Sequence, residues 1–414
     1  MIITAVAVGT RGDVSPLVEL GVDMVKRGHE FRICTSEAFR TLIEKKGIKY
    51  LHLSTDADHV MKYLVTEYKT SMDFMKGMFR LKKENPKFWD ETVEAIKDAD
   101  AVMYGTCGAF ARHAADALHI PCIRVFYSPM DPTDQYSLYS TEYNSPKVLK
   151  SRTRLDKGMN LMTMILLNKY RKAAGIEKWH LNSKYTEQFG RKVLTFYPTS
   201  KVFMNPDPSW GKHIHVTGYW LHSEEDAGDV NMSDDLKIFI EHGEKPIFVA
   251  FGKAESEEAK ELQLRTLKAL KQTGIRAIFQ SNQIDESLKV NTEQIFFVGD
   301  IPYGYIFQKV RAVVHHGGNT TNGLGVLAGL PTLVIPLALD QYFYGRMINR
   351  LGAGPKPLYI RYKLCEVSEI EDSLKKLISG QYDTKAKALS IEMKAENGIK
   401  DAIAAIEEYV ATVR

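Results

Sequence analysis

Two short stretches carry side chains whose types and spacing could do chemistry. The first is Gly9-Thr10-Arg11-Gly12-Asp13-Val14-Ser15-Pro16, which follows an apolar run at residues 2–8 and leads into a helix expected over residues 17–26. A Gly-rich turn between strand and helix lies at the carboxyl edge of an α/β sheet, where such folds bind ligands. Asp13 stands near the helix start, where backbone N–H groups and the helix dipole favour an anion. Two readings follow: Asp13 caps the helix, or it is a general base held at a rigid strand end. The turn departs from GxGxxG and no Walker lysine follows, which argues against a dinucleotide or P-loop site.

The second stretch is RAVVHHGGNTTNGLGVLAGLPTLVIPLALDQYFYG, residues 311–345. A buried strand runs into His315-His316-Gly317-Gly318, after which small and hydroxylic residues open a helix. Glycines let a ligand approach the backbone, and a helix N-terminus offers N–H donors to an anion such as phosphate. His316 could add a hydrogen bond or a charge, and Thr320 and Thr321 supply hydroxyls. A diphosphate leaving group needs this kind of stabilisation as its bond breaks. One strand later, Asp340-Gln341 puts a carboxylate and an amide at another strand end, suited to gripping sugar hydroxyls through acceptors and donors.

The elements that must position these turns alternate in the manner of βαβ units. Strands are expected at residues 2–8, 30–36, 48–53, 101–106, 122–128 and 201–205, then at 246–252, 275–281, 294–300, 312–318 and 331–336. Several are apolar throughout, as in a parallel sheet covered on both faces. The rhythm breaks between residues 129 and 200, where a loop rich in Pro, Asp and Tyr precedes a helix expected over residues 154–172. Its apolar centre MNLMTMILL (159–167) is flanked by Lys and Arg, and Met72, Met75 and Met78 recur at helical spacing upstream. These segments read either as packing, since Met fills irregular gaps, or as a pliable acceptor pocket whose lip rests on a membrane. The acidic run at 221–235 reads as a linker.

A chain of 414 residues favours two domains. With 55 Lys and Arg against 51 Asp and Glu, the net charge of +4 is too small to point to nucleic acid. The four cysteines form no CxxC or Cys/His cluster, so no zinc site is expected and a reducing, cytoplasmic setting is. No apolar run is long enough to span a bilayer, which leaves peripheral contact at a membrane surface as the form any membrane association would take.

Taken together, these motifs resemble the GT-B glycosyltransferases of family 1, within the branch of sterol glucosyltransferases and glycopeptide-antibiotic glycosyltransferases. GTRGDVSP is similar to that branch's GTRGDVQP or GSRGDxxP signature, and VTGYW (216–220) to its TG[FY]W. The stretch from His315 aligns without a gap to HHGGAGTTxxGLxAGVPxxVxPxxxDQxxxG, SPMDPT (128–133) resembles the PxxPT loop, and ENGIKDAIAAIEEY (396–409) the C-terminal crossing helix. The resemblance implies an α/β fold of the GT-B type: two Rossmann-like, doubly wound parallel-sheet domains facing a cleft. Residues 1–220, with the helix at 396–414 packed back on them, would bind the acceptor, 221–235 would link, and 236–395 would bind the donor. It implies Asp13 as the base, with Arg11, Gly12, Pro132 and Thr133 on the acceptor side. His316, Gly318, Thr320 and Thr321 would hold the donor diphosphate, and Asp340 and Gln341 the hexose. The implied reaction is a metal-free, cofactor-free single displacement giving a β-glycoside from an α-linked nucleotide sugar, with UDP-glucose and a lipophilic alcohol such as a sterol as substrates.

Three departures bear on the donor. Lys253 stands in FGKA where the family has FGSM, and either pairs with a phosphate or points to solvent. IPYGYIF (301–307) replaces VPHxWLF, so Tyr303 and Tyr305 would face the nucleotide base in place of His and Trp. Asn319-Thr320 replaces Ala-Gly. Two alternatives accompany the sterol reading: a natural-product transferase using another nucleotide sugar, and a nucleotide-sugar-binding protein without activity.

Overall fold

The computed structural model describes residues 1–55, 59–60, 71–133, 135–136, 146–221, 232–252, 256–281, 284–337, 340–358 and 364–413, without the side chains of 71–75 and 146–156. The chain divides into two compact units, Met1–Leu221 with Asn397–Arg414, and His222–Glu396.

In the first unit the strands are β1 (Ile2–Val6), β2 (Glu30–Thr35), β3 (Lys49–His52), β4 (Ala101–Tyr104), β5 (Cys122–Val125), the short hairpin β6 (Glu187–Gln188) and β7 (Arg191–Lys192), β8 (Leu194–Tyr197) and β9 (Ile214–Val216). Seven of them form one parallel sheet in the order β3-β2-β1-β4-β5-β8-β9. Alternate residues feed two cores, as the strand period of two requires. Ala101 and Met103 join one with Ile3, Leu17 and Phe196, while Val102 and Tyr104 join the other with Trp89, Met162 and Leu166. Met78 and Met159 pack against this second core, which favours packing for the Met-rich segments. The side chains of Met72 and Met75 lie outside the described residues.

The second unit repeats the wiring with β10 (Ile247–Ala250), β11 (Ala277–Gln280), β12 (Ile295–Val298), β13 (Val313–His315) and β14 (Thr332–Val334). Its parallel order is β12-β11-β10-β13-β14. Ile247 and Val249 face one core, Phe248 and Ala250 the other. In both units the first and fourth strands of the series are neighbours, and the connections leave in opposite directions from that point. Such a switch point opens a crevice at the strands' carboxyl ends.

Three expectations are corrected. Residues 201–205 form a turn, not a strand: Phe203 and Met204 both donate backbone N–H to Ser200 O, and Val202 N–H is held by Ser200 Oγ. Phe203 and Met204 are buried through this turn, while β8 and β9 supply the sheet positions. The first helix spans Arg11–Lys26 rather than starting at Leu17, because a capping box formed by Thr10 and Asp13 carries it back past Pro16. The basic-flanked helix is Pro146–Ala173, beginning eight residues before Arg154. Residues 222–231 of the expected linker lie outside the described residues.

The last helix, Gly398–Val413, packs in the first unit through Ile399, Ile403, Ile406 and Val410. It begins so close to the VTGYW segment that a Cβ on Gly398 would lie 2.6 Å from the carbonyl oxygens of Gly218 and Tyr219.

Candidate active site

The turn after β1 is built around the Asp13 carboxylate. Thr10 is the N-cap of the first helix, and Asp13, third in that helix, reaches back to it. Asp13 Oδ2 accepts from Thr10 N–H at 2.7 Å and from Thr10 Oγ1 at 3.2 Å, while Thr10 Oγ1 accepts from Gly12 N–H at 3.2 Å. The carboxylate lies directly over Gly9, where a Cβ would stand 2.2 Å from Oδ2, and Gly9 has φ +149°. A side chain at residue 9 and this placement of Asp13 are therefore incompatible. The Tyr127 hydroxyl, from the segment after β5, donates to the Asp13 carbonyl at 3.1 Å and fixes the backbone beneath.

Asp13 thus does cap the helix, from inside it. Burial nonetheless raises its pKa, and the two bonds from Thr10 oppose that rise without cancelling it. A half-buried carboxylate of raised pKa is a stronger base than an exposed one. Both Thr10 bonds fall on Oδ2, so Oδ1 is the oxygen they leave uncommitted. The sequence reading passed over Thr10, Gly9 and Tyr127. Thr10 was recoverable from its spacing, a hydroxyl three residues before an acid at a helix start.

The residues expected on the acceptor side divide. Arg11 is exposed and Gly12 half-buried, both in the first turn of the helix. Pro132 is exposed, and its carbonyl accepts from Trp210 Nε1 at 2.8 Å. Thr133 is buried, with its hydroxyl donating to Asp207 Oδ2 and accepting from Gln135 N–H, so that hydroxyl is tied up inside the loop. The loop is anchored from below by the buried Arg124–Asp131 pair at 2.7 Å and by the Tyr197 hydroxyl, which bonds Asp131.

In the second unit the two histidines separate in role. His315 is buried, and its Nδ1 accepts from Gly317 N–H at 2.8 Å, which sets the turn. His316 lies between the two loops at the switch point: a Cβ on Gly252, after β10, would stand 3.2 Å from its ring, and one on Gly318 would stand 2.7 Å from its Nε2. Burial lowers the His316 pKa to about 4, against a weaker upward pull from the Ala250 backbone. His316 is therefore neutral near pH 7 and offers a hydrogen bond rather than a charge.

Gly318 is the N-cap of the helix Asn319–Leu327 and brings no side-chain cap. Around this end, Thr320 Oγ1, His316 Nδ1 and both amide atoms of the fully buried Asn322 make no hydrogen bond of normal geometry. Unpaired buried polar atoms are uncommon and call for a partner. Thr321 is buried beside them. Asn319 is held by the Tyr344 hydroxyl and ties this helix to the next, Gln341–Arg350. Gly317, at φ +93°, closes the turn so tightly that a Cβ would meet Val334 Cγ1 at 2.6 Å and Gln341 O at 3.0 Å. The Asp340-Gln341 pair is thereby seated beside the histidine turn. Asp340 is half-buried at the N-cap, while Gln341 Oε1 accepts from Leu337 N–H at 2.7 Å.

Comparison with known proteins matches this arrangement in sequence and in fold. Residues 3–127 match the glycosyltransferase family 28 N-terminal domain, and residues 266–408 the erythromycin biosynthesis protein CIII-like C-terminal domain. The sterol 3-beta-glucosyltransferase of Debaryomyces hansenii is 31% identical over 432 residues, covering 97% of this chain and 26% of that protein. The chain has the fold of the GT-B glycosyltransferases. Among solved structures, the calicheamicin glycosyltransferase CalG4 superimposes with a TM-score of 0.72 at 17% identity, covering 99% of this chain and 98% of that one. The glycosyltransferase VinC, solved in complex with dTDP, gives 0.69 at 14%, covering 100% and 99%. The chain spans about a quarter of the length of the Debaryomyces relative.

Within this GT-B chain, two other expected residues have a described place. The Tyr303 hydroxyl donates to Gln280 Oε1 at 2.7 Å, and its ring stacks on Phe307 at 5.2 Å and meets Phe248 edge-on. Tyr305 is half-buried, with Lys309 Nζ 5.8 Å from its ring centre. Tyr303 is therefore fastened at both hydroxyl and ring, and Tyr305 is the less constrained aromatic of the pair. Lys253 lies outside the described residues. No group of three or more His, Cys, Asp or Glu among the described residues could hold a metal, and no described helix is long and apolar enough to cross a membrane.

Proposed function

We propose that this chain is a glycosyltransferase that moves glucose from UDP-glucose to the hydroxyl of a sterol or similar lipophilic alcohol, with inversion at the anomeric carbon. The observation that carries the reading is the uncapped helix end at Gly318, surrounded by unpaired Thr320 Oγ1 and His316 Nδ1. That end suits a diphosphate, and the sterol enzyme among the relatives suggests the acceptor class. The first unit would take the acceptor and the second the donor.

In this reading Asp13 removes the proton from the acceptor hydroxyl as the acceptor oxygen attacks C1 of an α-linked glucose. The C1–O bond to the β-phosphate breaks, and UDP leaves with the electron pair. His316, the hydroxyls of Thr320 and Thr321, and the first N–H groups of Asn319–Leu327 stabilise the charge growing on the diphosphate. Asp340 accepts from sugar hydroxyls and the Gln341 amide donates to them. Lys253 adds a cation near the phosphates, and Tyr305 meets the base. No metal enters this scheme. The setting is a reducing one, the cytoplasm, with peripheral contact at a membrane.

Incubation with UDP-glucose and a detergent-dispersed sterol should release UDP and form a β-glucoside, read from the anomeric proton coupling of the product. An α-glucoside would contradict single displacement. The departures at Tyr303 and Tyr305, together with the dTDP-bound neighbour VinC, favour a second reading: another nucleotide sugar and a natural-product acceptor. Turnover confined to dTDP-deoxyhexose donors would select it over the first.

A further inference from the structure

The helix Pro146–Ala173 turns an apolar face outward. Met162, Leu166 and Leu167 are buried in the core of the first unit, yet Leu161 and Ile165 are 42% and 48% exposed. Four residues apart, they share one face of the helix. Leu181, 45% exposed, joins them, because its carbonyl accepts from Asn160 Nδ2 at 2.8 Å. The neighbouring helix Ser71–Glu84 contributes Phe79, 42% exposed and one turn before Lys82, whose ammonium reaches Leu166 O at 2.7 Å.

Among the described residues, the charges on the two helices bordering this face are mainly basic. Lys157 stands one turn before Leu161, Lys169 one turn after Ile165, and Lys172 follows, all exposed. From residue 157 to 173 the helix holds no Asp or Glu, and its remaining cation, Arg171, is turned inward to Asp116. On the neighbouring helix Lys76, Arg80 and Lys83 are exposed, and the acid at its end, Glu84, is paired with His59. In a chain of net charge +4 this is a local excess. Apolar side chains bordered by lysines at one-turn spacing fit a surface with a hydrocarbon interior and anionic headgroups.

We propose that this face docks the protein on bilayers containing anionic lipid, bringing the first unit to the phase that holds its acceptor. The proposal rests on the lipophilic-acceptor reading for its purpose, but not for its test. Full-length protein is sedimented with vesicles of phosphatidylcholine alone or of phosphatidylcholine with phosphatidylserine. Binding to the mixed vesicles only, weakened by salt, is expected. The Leu161→Ser, Ile165→Ser double variant should bind at least about tenfold more weakly. Replacing Lys157, Lys169 and Lys172 by Gln should weaken binding by about fivefold per lysine.

All these side chains are exposed, so both variants should keep the wild-type circular dichroism and thermal midpoint, and turnover on detergent-dispersed acceptor. Absence of wild-type binding, equal binding to neutral vesicles, or variants that bind like wild type would overturn the proposal. If vesicle binding follows the expected pattern while no transferase activity is found in detergent, the acceptor reading fails and the docking face stands.

Discussion

The turns after β1 and β13 begin as the same device and end as opposites. Each follows a strand at the switch point of a parallel sheet, each needs a glycine that a Cβ would disrupt, and each opens a helix. In the first, the helix end is closed from within: Thr10 caps it and Asp13 folds back to hold Thr10. In the second, Gly318 supplies no side-chain cap, and hydroxyl, imidazole and amide atoms nearby stay unpaired. A helix end that satisfies itself repels a second anion and keeps its own. One left open selects an anion from outside. The function proposed above assigns the base to the first turn and the leaving group to the second, although the backbone plan is shared.

Breaking the open turn should have the larger effect on binding. In the proposed site the neutral His316 gives phosphate a hydrogen bond that His316→Ala removes, so UDP affinity measured by calorimetry should fall about tenfold. Turnover should fall with it. His316→Gln, which keeps a donor, should retain most of the affinity. An unchanged affinity in His316→Ala would remove this residue from the diphosphate site.

Loosening the closed turn should act on pH rather than on nucleotide. Thr10→Val deletes one of the bonds that lower the Asp13 pKa, so that pKa should rise further. The active form of the base is the carboxylate, present above its pKa and lost as pH falls through it. The acidic limb of the kcat/KM profile should accordingly move to higher pH, with a loss of about threefold below it and no change in UDP affinity. A limb that stays in place would mean that another group governs it.

How much of this was legible in the sequence varies with the kind of interaction that decides each feature. Ten of the eleven expected strands match observed ones because a buried parallel strand is written as a local apolar run. The failure at residues 201–205 came from a run just as apolar, whose geometry is set by Ser200. The histidine turn was legible as an anion site because glycine and hydroxyl spacing is local. The division of labour between His315 and His316 was not, since it depends on Gly317 N–H and on Gly252 from a distant strand. The bond from Leu337 N–H to the Gln341 side-chain oxygen was not legible either, since it depends on the path of the turn between strand and helix. Thr133 looked available, and Asp207, far along the chain, takes its hydroxyl. Asp13 was read as cap or base. The structure makes it the third-position partner in the capping box whose N-cap is Thr10, and burial raises its pKa, so the two readings are not exclusive.

The division between a turn that holds a base and a turn that binds a leaving group is tested most directly by Asp13→Asn. Asparagine can still accept from Thr10, so the helix end and the nucleotide site should persist. Turnover at saturating UDP-glucose should fall by at least about 100-fold, the scale of a lost general base, with UDP affinity unchanged. Turnover close to wild type would contradict the assignment of Asp13 as the base.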